Sequence, residues 1–274
     1  MLTGQAEEVL PIFIEKNKIG ALICDFSPLR VAIGWLDSLK KKLNIPIYQV
    51  DGHNVIPCWE TSNQMELAAF RIRTKILSKL NEFLTEFPPV VTHPFVNNNT
   101  KNENNWDEMY KSLKVDTDVR PIEWTKSGYT AAIKMLDSFI SQRLPFYNKD
   151  RNDPNTNVQS NLSPFFHFGQ ISPQRAILEV NSQKDTFPDD VDKFIDECLI
   201  WRELSENFCY YQPNYDNFNG AEDWAKRTLL RHQSDKRQFV YSLDAFDNAK
   251  THDPLWNAAQ IQMIKEGKMH GFFR

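Results

Sequence analysis

Residues 160–175 read SNLSPFFHFGQISPQR. Ser160, Asn161 and Ser163 stand just before or beside Pro164, and proline suits the first turn of a helix because its missing N–H is not needed there. A helix start carries free backbone N–H groups and the positive end of a dipole. Serine and asparagine side chains add donors, so the stretch has the chemistry to hold an anion such as phosphate. A plain helix cap, which needs only one of these side chains, is the competing reading. Upstream, Tyr147 and Arg151 lie one helical turn apart, spaced to face one ligand, although surface pairs of this kind are common. Further on, Glu197 and Trp201 are four residues apart and share one side of a helix with Phe194 and Leu204. A carboxylate on an apolar aromatic face is costly unless it has a task or a partner. The plainer alternatives are a helix-edge carboxylate that reaches water and a tryptophan that packs the core. Arg202 and Glu206 are spaced to pair on another face.

The elements that must position these residues fall into two groups. Residues 5–16 read as a helix, 19–25 (IGALICD) as a short apolar strand, 28–43 as a helix with Leu29, Ile33, Leu36 and Leu39 in one stripe, and 45–51 (IPIYQVD) as a second strand. This αβαβ rhythm predicts a parallel sheet with crossover helices. A strongly periodic helix follows over 67–84. Two strands fall short of the three or more that a stable sheet usually needs, so the expectation is that earlier strands are absent from this chain or that a partner completes the sheet. Residues 87–105 contain prolines and then an asparagine-rich run, and predict a linker or surface loop. Helices are predicted over 127–143 (burying Ala132, Met135, Leu136, Phe139 and Ile140), 190–210, 221–232, 242–250 and 254–266, with no strand beyond about residue 125. Asp253 before Pro254 is a cap signal, and Gly267 is a stop signal. The fold expected is α/β over 1–90, a linker over 91–125, and an all-α unit over 126–274. The apolar stretch at the end of the chain predicts that more helix should follow.

The chain has 274 residues, 41% hydrophobic and 25% charged, with a net charge of −4. The negative balance argues against a protein that binds nucleic acid over its whole surface, but a local basic groove is compatible with it. Residues 226–237 (KRTLLRHQSDKR) are either part of such a groove or a solvated helix face. No apolar run approaches a membrane span, and no secretory signal opens the sequence. Cys24, Cys58, Cys198 and Cys209 show neither C-x-x-C nor zinc spacing, which predicts reduced thiols in an intracellular protein and no metal site.

Taken in order, the motifs YNKDRNDP (147–154), SNLSP (160–164), HFGQISP (167–173), IWRELSENF (200–208), THDPLWNAAQ (251–260) and GKMHGF (267–272) resemble the DNA photolyase and cryptochrome family. DFSPLR (25–30), VDGHN (50–54), PCW (57–59) and FLTEFPP (83–89) resemble its class II cyclobutane pyrimidine dimer photolyases. The resemblance implies a Rossmann-like antenna domain, here partial, and a helical FAD-binding domain, here incomplete. It implies a reduced flavin that absorbs light and lends one electron to a thymine dimer flipped out of double-stranded DNA. It places Tyr147 and Arg151 beside FAD, Ser160, Asn161, Leu162 and Ser163 on its diphosphate, and Arg202 near the flavin and ribityl. It assigns Glu197 to the dimer carbonyls, Trp201 to packing against the lesion, and Trp256 to the tryptophan chain that photoreduces the flavin. A second antenna chromophore of unknown identity, a monomeric state, no membrane, and a nuclear or cytoplasmic location complete the expectation. Because relatives of this kind carry further strands and helices, the 274-residue chain is expected to bind FAD weakly or not at all and to repair little. A cryptochrome-like photoreceptor and a non-catalytic gene fragment are the alternatives.

Overall fold

The computed structural model describes residues 3–92, 94–95 and 105–273. The N-terminal part follows the expected rhythm: helix α1 (Ala6–Lys16), strand β1 (Leu22–Asp25), helix α2 (Arg30–Lys42) and strand β2 (Ile47–Val50). The strands pair in parallel, Leu22 opposite Ile47 and Asp25 opposite Val50. Of the α2 stripe, Leu36 and Leu39 are buried while Leu29 and Ile33 are exposed. The short helix α3 (Cys58–Thr61) and the long helix α4 (Ala69–Phe83) follow.

Most of the asparagine-rich run lies outside the described residues. Just after it stands a helix that the linker reading did not include, α5 (Trp106–Ser112), whose cap Asn105 accepts a hydrogen bond from the Glu108 N–H. The rest is helical among the described residues: α6 (Tyr129–Gln142), α7 (Tyr147–Asp150), α8 (Ser163–His167), α9 (Pro173–Asn181), α10 (Pro188–Ile195), α11 (Arg202–Tyr211), α12 (Asp223–Arg231), α13 (Leu243–Asp247) and α14 (Pro254–Glu266). Helix α9 was missed in the sequence, although Ser172 caps it and Pro173 opens it. Helix α13 is shorter than the predicted 242–250, because Ala249 turns to a φ of 53°. Between α10 and α11 the expected continuous helix widens into a π-helical stretch, Asp196–Trp201. Such stretches recur at functional sites.

One core joins residues from both sides of the 91–125 segment. Ile72 and Ile76 of α4 belong to the same buried cluster as Leu136 and Phe139 of α6, Phe165 of α8, Ile177 of α9 and Phe194 of α10. At its centre Phe139, Tyr147 and Phe194 meet, with ring centroids 5.2–6.0 Å apart. The α/β unit is anchored on α11 as well. The Phe26 ring meets Tyr210 at 5.5 Å, and Glu66 is bound through its N–H to Asn207 Oδ1 at 2.7 Å. Arg30 reaches past α11 to Asp216 at 2.8 Å.

Helix α14 begins and ends where its sequence signals place it. Asp253 accepts from the N–H groups of Leu255 (2.9 Å) and Trp256 (3.1 Å), and Gly267 closes the helix at a φ of 63°. A Cβ on Gly267 would come within 2.9 Å of Ile122, so both backbone angle and space favour glycine there. Asp253→Ala is expected to destabilise the chain by about 1 kcal/mol. Denaturant unfolding of the variant checks this.

Candidate active site

The expected site residues converge on one hollow of about 410 Å³, within the range of small-molecule and cofactor sites. Tyr147 and Arg151 enter it from α7 and the residue just after, Ser160 and Asn161 from the loop before α8, and Ser163 from the start of α8. Glu197 and Cys198 enter from the π-helical stretch, and Arg202 from the first position of α11. Ser160, Asn161 and Ser163 thus share one space with Glu197. Three predicted residues lie off this wall. Leu162 is fully buried in the core beneath it. Trp201 is 48% exposed, so it neither packs the core nor lines the hollow. Trp256, on α14, stacks edge-on with Phe246 at 5.2 Å.

Local geometry explains the lip of the hollow. Asn161 adopts a left-handed φ of 58°, a conformation that asparagine tolerates better than most residues. The Leu162 N–H points to Ser160 Oγ at 3.5 Å, and the Phe166 N–H bonds to the Leu162 carbonyl at 3.0 Å. Pro164 has no N–H, so Ser163 and Phe165 carry the backbone donors at this start. Helix α8 has only five residues, so hydroxyl, amide and N–H donors matter here more than a summed dipole.

The electrostatics favour an anion. Arg151, Arg202 and Lys268 line the hollow against a single carboxylate, Glu197. This positive wall stands on a chain of net charge −4. Arg151 donates to Asn152 Oδ1 at 3.0 Å and pairs with Glu197 at 3.2 Å, while its Nε is buried with no partner among the described residues. Lys193 also reaches Glu197, at 3.5 Å. Burial holds Lys268 below the usual lysine range, against the pull of Glu266, and Arg143 lowers it further. Burial also pushes the Tyr147 hydroxyl upward, with Glu197 adding to the effect, and raises the Cys198 thiol to about 12. Both therefore stay protonated at neutral pH.

The structure adds wall residues that spacing alone did not indicate. Trp124, from the end of the predicted linker, donates its indole N–H to the Glu266 carbonyl at 2.9 Å, and Lys268 lies 5.6 Å from its ring centre. Gln159 Nε2 sits 3.1 Å from His270 Nε2. Of these, His270 and Lys268 fall in the GKMHGF motif, while Trp124 has no local signal. The expected Arg202–Glu206 pair does not form. Both turn instead to His53: Arg202 Nη1 donates to its carbonyl, and Glu206 lies 3.6 Å from its Nδ1. A loop distant in sequence outcompetes the neighbour four residues away.

The fold, helix-rich with a small parallel sheet, is that of photolyases and cryptochromes. A bacterial class III photolyase from Agrobacterium tumefaciens superposes with a TM-score of 0.73 at 21% identity, over 99% of this chain and 56% of that one. A Synechocystis cryptochrome gives 0.71 at 16% identity, over 99% and 57%. Sequence comparison is more specific. The DNA photolyase family profile matches residues 1–93. The deoxyribodipyrimidine photo-lyase of Potorous tridactylus is 48% identical across all of this chain and 52% of its own length, and that of Arabidopsis thaliana is 41% identical across all of this chain and 57% of its own. The chain belongs to the DNA photolyase family and spans about half the length of these curated relatives.

Proposed function

We propose that this chain carries part of a light-driven lyase that splits cyclobutane pyrimidine dimers in double-stranded DNA, of the class II type, with FAD in the 410 Å³ hollow. The observation that carries the reading is the meeting of Tyr147, Arg151, Ser160, Ser163, Glu197 and Arg202 at one space. FAD, when bound, supplies the light absorption and the one-electron chemistry. The residues present suit such a group. Arg151 brings a buried donor without a protein partner, and a guanidinium is the natural mate of a diphosphate. Ser160, Asn161 and Ser163 offer further donors at the same wall, and Leu162 holds them by burying its side chain in the core. Arg202 contributes a fixed positive charge toward the flavin and ribityl. Glu197, opposite, is the carboxylate that would accept hydrogen bonds from, or donate them to, an extruded dimer. Trp201, exposed beside it on the same helical stretch, would offer a ring face to the lesion, and Trp256 would relay electrons from α14. In this reading the β1–α2–β2 unit is the partial Rossmann-like antenna domain. A second chromophore, a monomeric state and an intracellular location remain part of the proposal. Among the described residues no helix is long and apolar enough to cross a membrane.

The experiment is titration of FAD into the chain, followed by flavin fluorescence. The expected result is saturable binding of one FAD per chain, weak enough to be lost on gel filtration. Lack of saturation would overturn the cofactor assignment. In a second arm, light-dependent loss of dimers from an irradiated duplex separates a repair enzyme, however slow, from a photoreceptor that leaves dimers intact.

A further inference from the structure

The loop after β2, residues 51–57, is held by three side chains of α11. Arg202 donates to the His53 carbonyl. Glu203 Oε1 accepts from the N–H groups of Val55 (2.6 Å) and Ile56 (3.3 Å). Glu206 Oε1 lies 3.6 Å from His53 Nδ1. Asp51 closes the loop from within, accepting from the N–H groups of His53 (3.1 Å), Asn54 (3.0 Å) and Cys58 (3.1 Å). Arg202 alone among these lines the flavin hollow. His53 and Glu206 line a second, smaller cavity of about 110 Å³, with Ser27, Leu29, Ser205 and Cys209. Among the described residues His53 thus meets the hollow through the guanidinium that its carbonyl holds, and its ring faces a carboxylate whose Oε2 is buried with no partner among those residues.

We propose that His53 is a positioning residue for the hollow: its backbone fixes the Arg202 guanidinium at the wall, and the charge on its ring sets how strongly that wall attracts an anion. The inference rests on the flavin reading above and concerns how the protein tunes that site. Two effects act in the same direction. A protonated ring draws Glu206 and keeps the loop seated on α11, where its carbonyl meets Arg202. It also adds a positive charge behind the guanidinium. The groups facing the ring are Glu206 and Asp51, which favour the charged form, and Arg202, which opposes it; Glu203, Cys58 and Cys209 occupy adjacent positions. The Glu206 carboxylate, 3.6 Å from Nδ1, holds the imidazole above its ordinary value, against the opposing effect of burial. Histidine is the side chain whose charge changes most readily within the physiological pH range. By reciprocity, an anion in the hollow favours protonation of His53, so binding takes up protons and weakens as pH rises.

The first measurement requires no flavin. In a ¹⁵N-labelled chain the Arg202 Nε–H resonance is followed from about pH 5.5 to about pH 8.5, the range of histidine titration. The expected result is a shift whose midpoint lies above the ordinary histidine value of 6.5, moves down in Glu206→Gln and vanishes in His53→Gln. Glu203 titrates nearby, and the Glu203→Gln background removes its contribution. A resonance that does not titrate, or that titrates unchanged in His53→Gln, overturns the proposal. The second measurement is FAD affinity across the same range, expected to fall about fivefold in the parent chain and to stay flat in His53→Gln. Failure of FAD to bind at every pH refutes the flavin reading, and the Arg202 titration still decides the role of His53.

Discussion

Glu203→Ala is expected to destabilise the chain by about 3 kcal/mol or more. Glu203 is 3% exposed, and its Oε1 accepts the N–H groups of Val55 and Ile56. Alanine would leave two buried donors unpaired, each costing about 1–3 kcal/mol. It would also unseat the loop that ties β2 to α11. Glu203→Gln keeps the accepting oxygen and is expected to fold normally. The two variants also differ in how stability responds to pH. Burial raises the Glu203 carboxyl to about 8, against the lowering effect of the two backbone donors and of Arg202, with Asp51 adding to the rise. Its folded value therefore lies above its unfolded one. At low pH both states hold the proton, and the stabilisation is fully present. As pH rises above the ordinary carboxyl range the unfolded chain gives up its proton first, so stability falls until the folded group ionises near pH 8. The slope in that window is on the order of 1 kcal/mol per pH unit. Glu203→Gln has no such proton, so it should match the parent near pH 5 and exceed it near pH 8. Urea midpoints at several pH values read this directly; parallel curves for parent and glutamine variant would show that Glu203 is ionised in the fold.

What the sequence disclosed, and what it did not, follows from the range of each interaction. Elements set by nearest neighbours were legible. The cap at Asp253, the stop at Gly267 and the apolar face of α6 depend on residues within a turn or two of one another. Helix α9 is equally local, capped by Ser172 and opened by Pro173, but its start lies inside the same polar and aromatic stretch that carries the ligand chemistry. The π-helical stretch could not be seen. Its apolar spacing fits an ordinary helix, and the packing of this stretch against α4 and α9 is not written in its local sequence. The same limit applies to Arg202 and Glu206. Four-residue spacing promised a pair, yet a backbone carbonyl from residue 53 and an imidazole offered better partners. Trp201 shows the limit in another form: four-residue spacing put it on one side with Glu197, yet Glu197 lines the hollow and Trp201 is exposed off its wall. The hollow itself was legible in parts, through the resemblance, but its far wall was not. Trp124 reaches it only because the chain returns from the 105–123 region to cap α14.

Arg151→Leu is expected to weaken FAD binding by about 10- to 150-fold. This is the range in which a charge-assisted hydrogen bond contributes about 1.5–3 kcal/mol. The guanidinium has one edge committed to Asn152 and Glu197 and a buried Nε with no partner among the described residues, so its remaining donors are the ones a diphosphate would engage. Glu197 also has Lys193 at 3.5 Å, and the urea midpoint of the variant separates lost binding from lost folding. Arg151→Lys should fall between parent and leucine variant, since an ammonium keeps the charge but not the planar fork. The sharper test comes from the other side of the pair. Glu197 competes with any anion for Arg151, so Glu197→Gln should release the guanidinium and tighten FAD binding, while weakening retention of dimer-containing DNA. Opposite signs for Arg151→Leu and Glu197→Gln in one fluorescence titration would place both residues on the same cofactor. Equal losses in both would mean that the ion pair serves only to hold α7 against the π-helical stretch, and the flavin site would have to be sought elsewhere in the molecule.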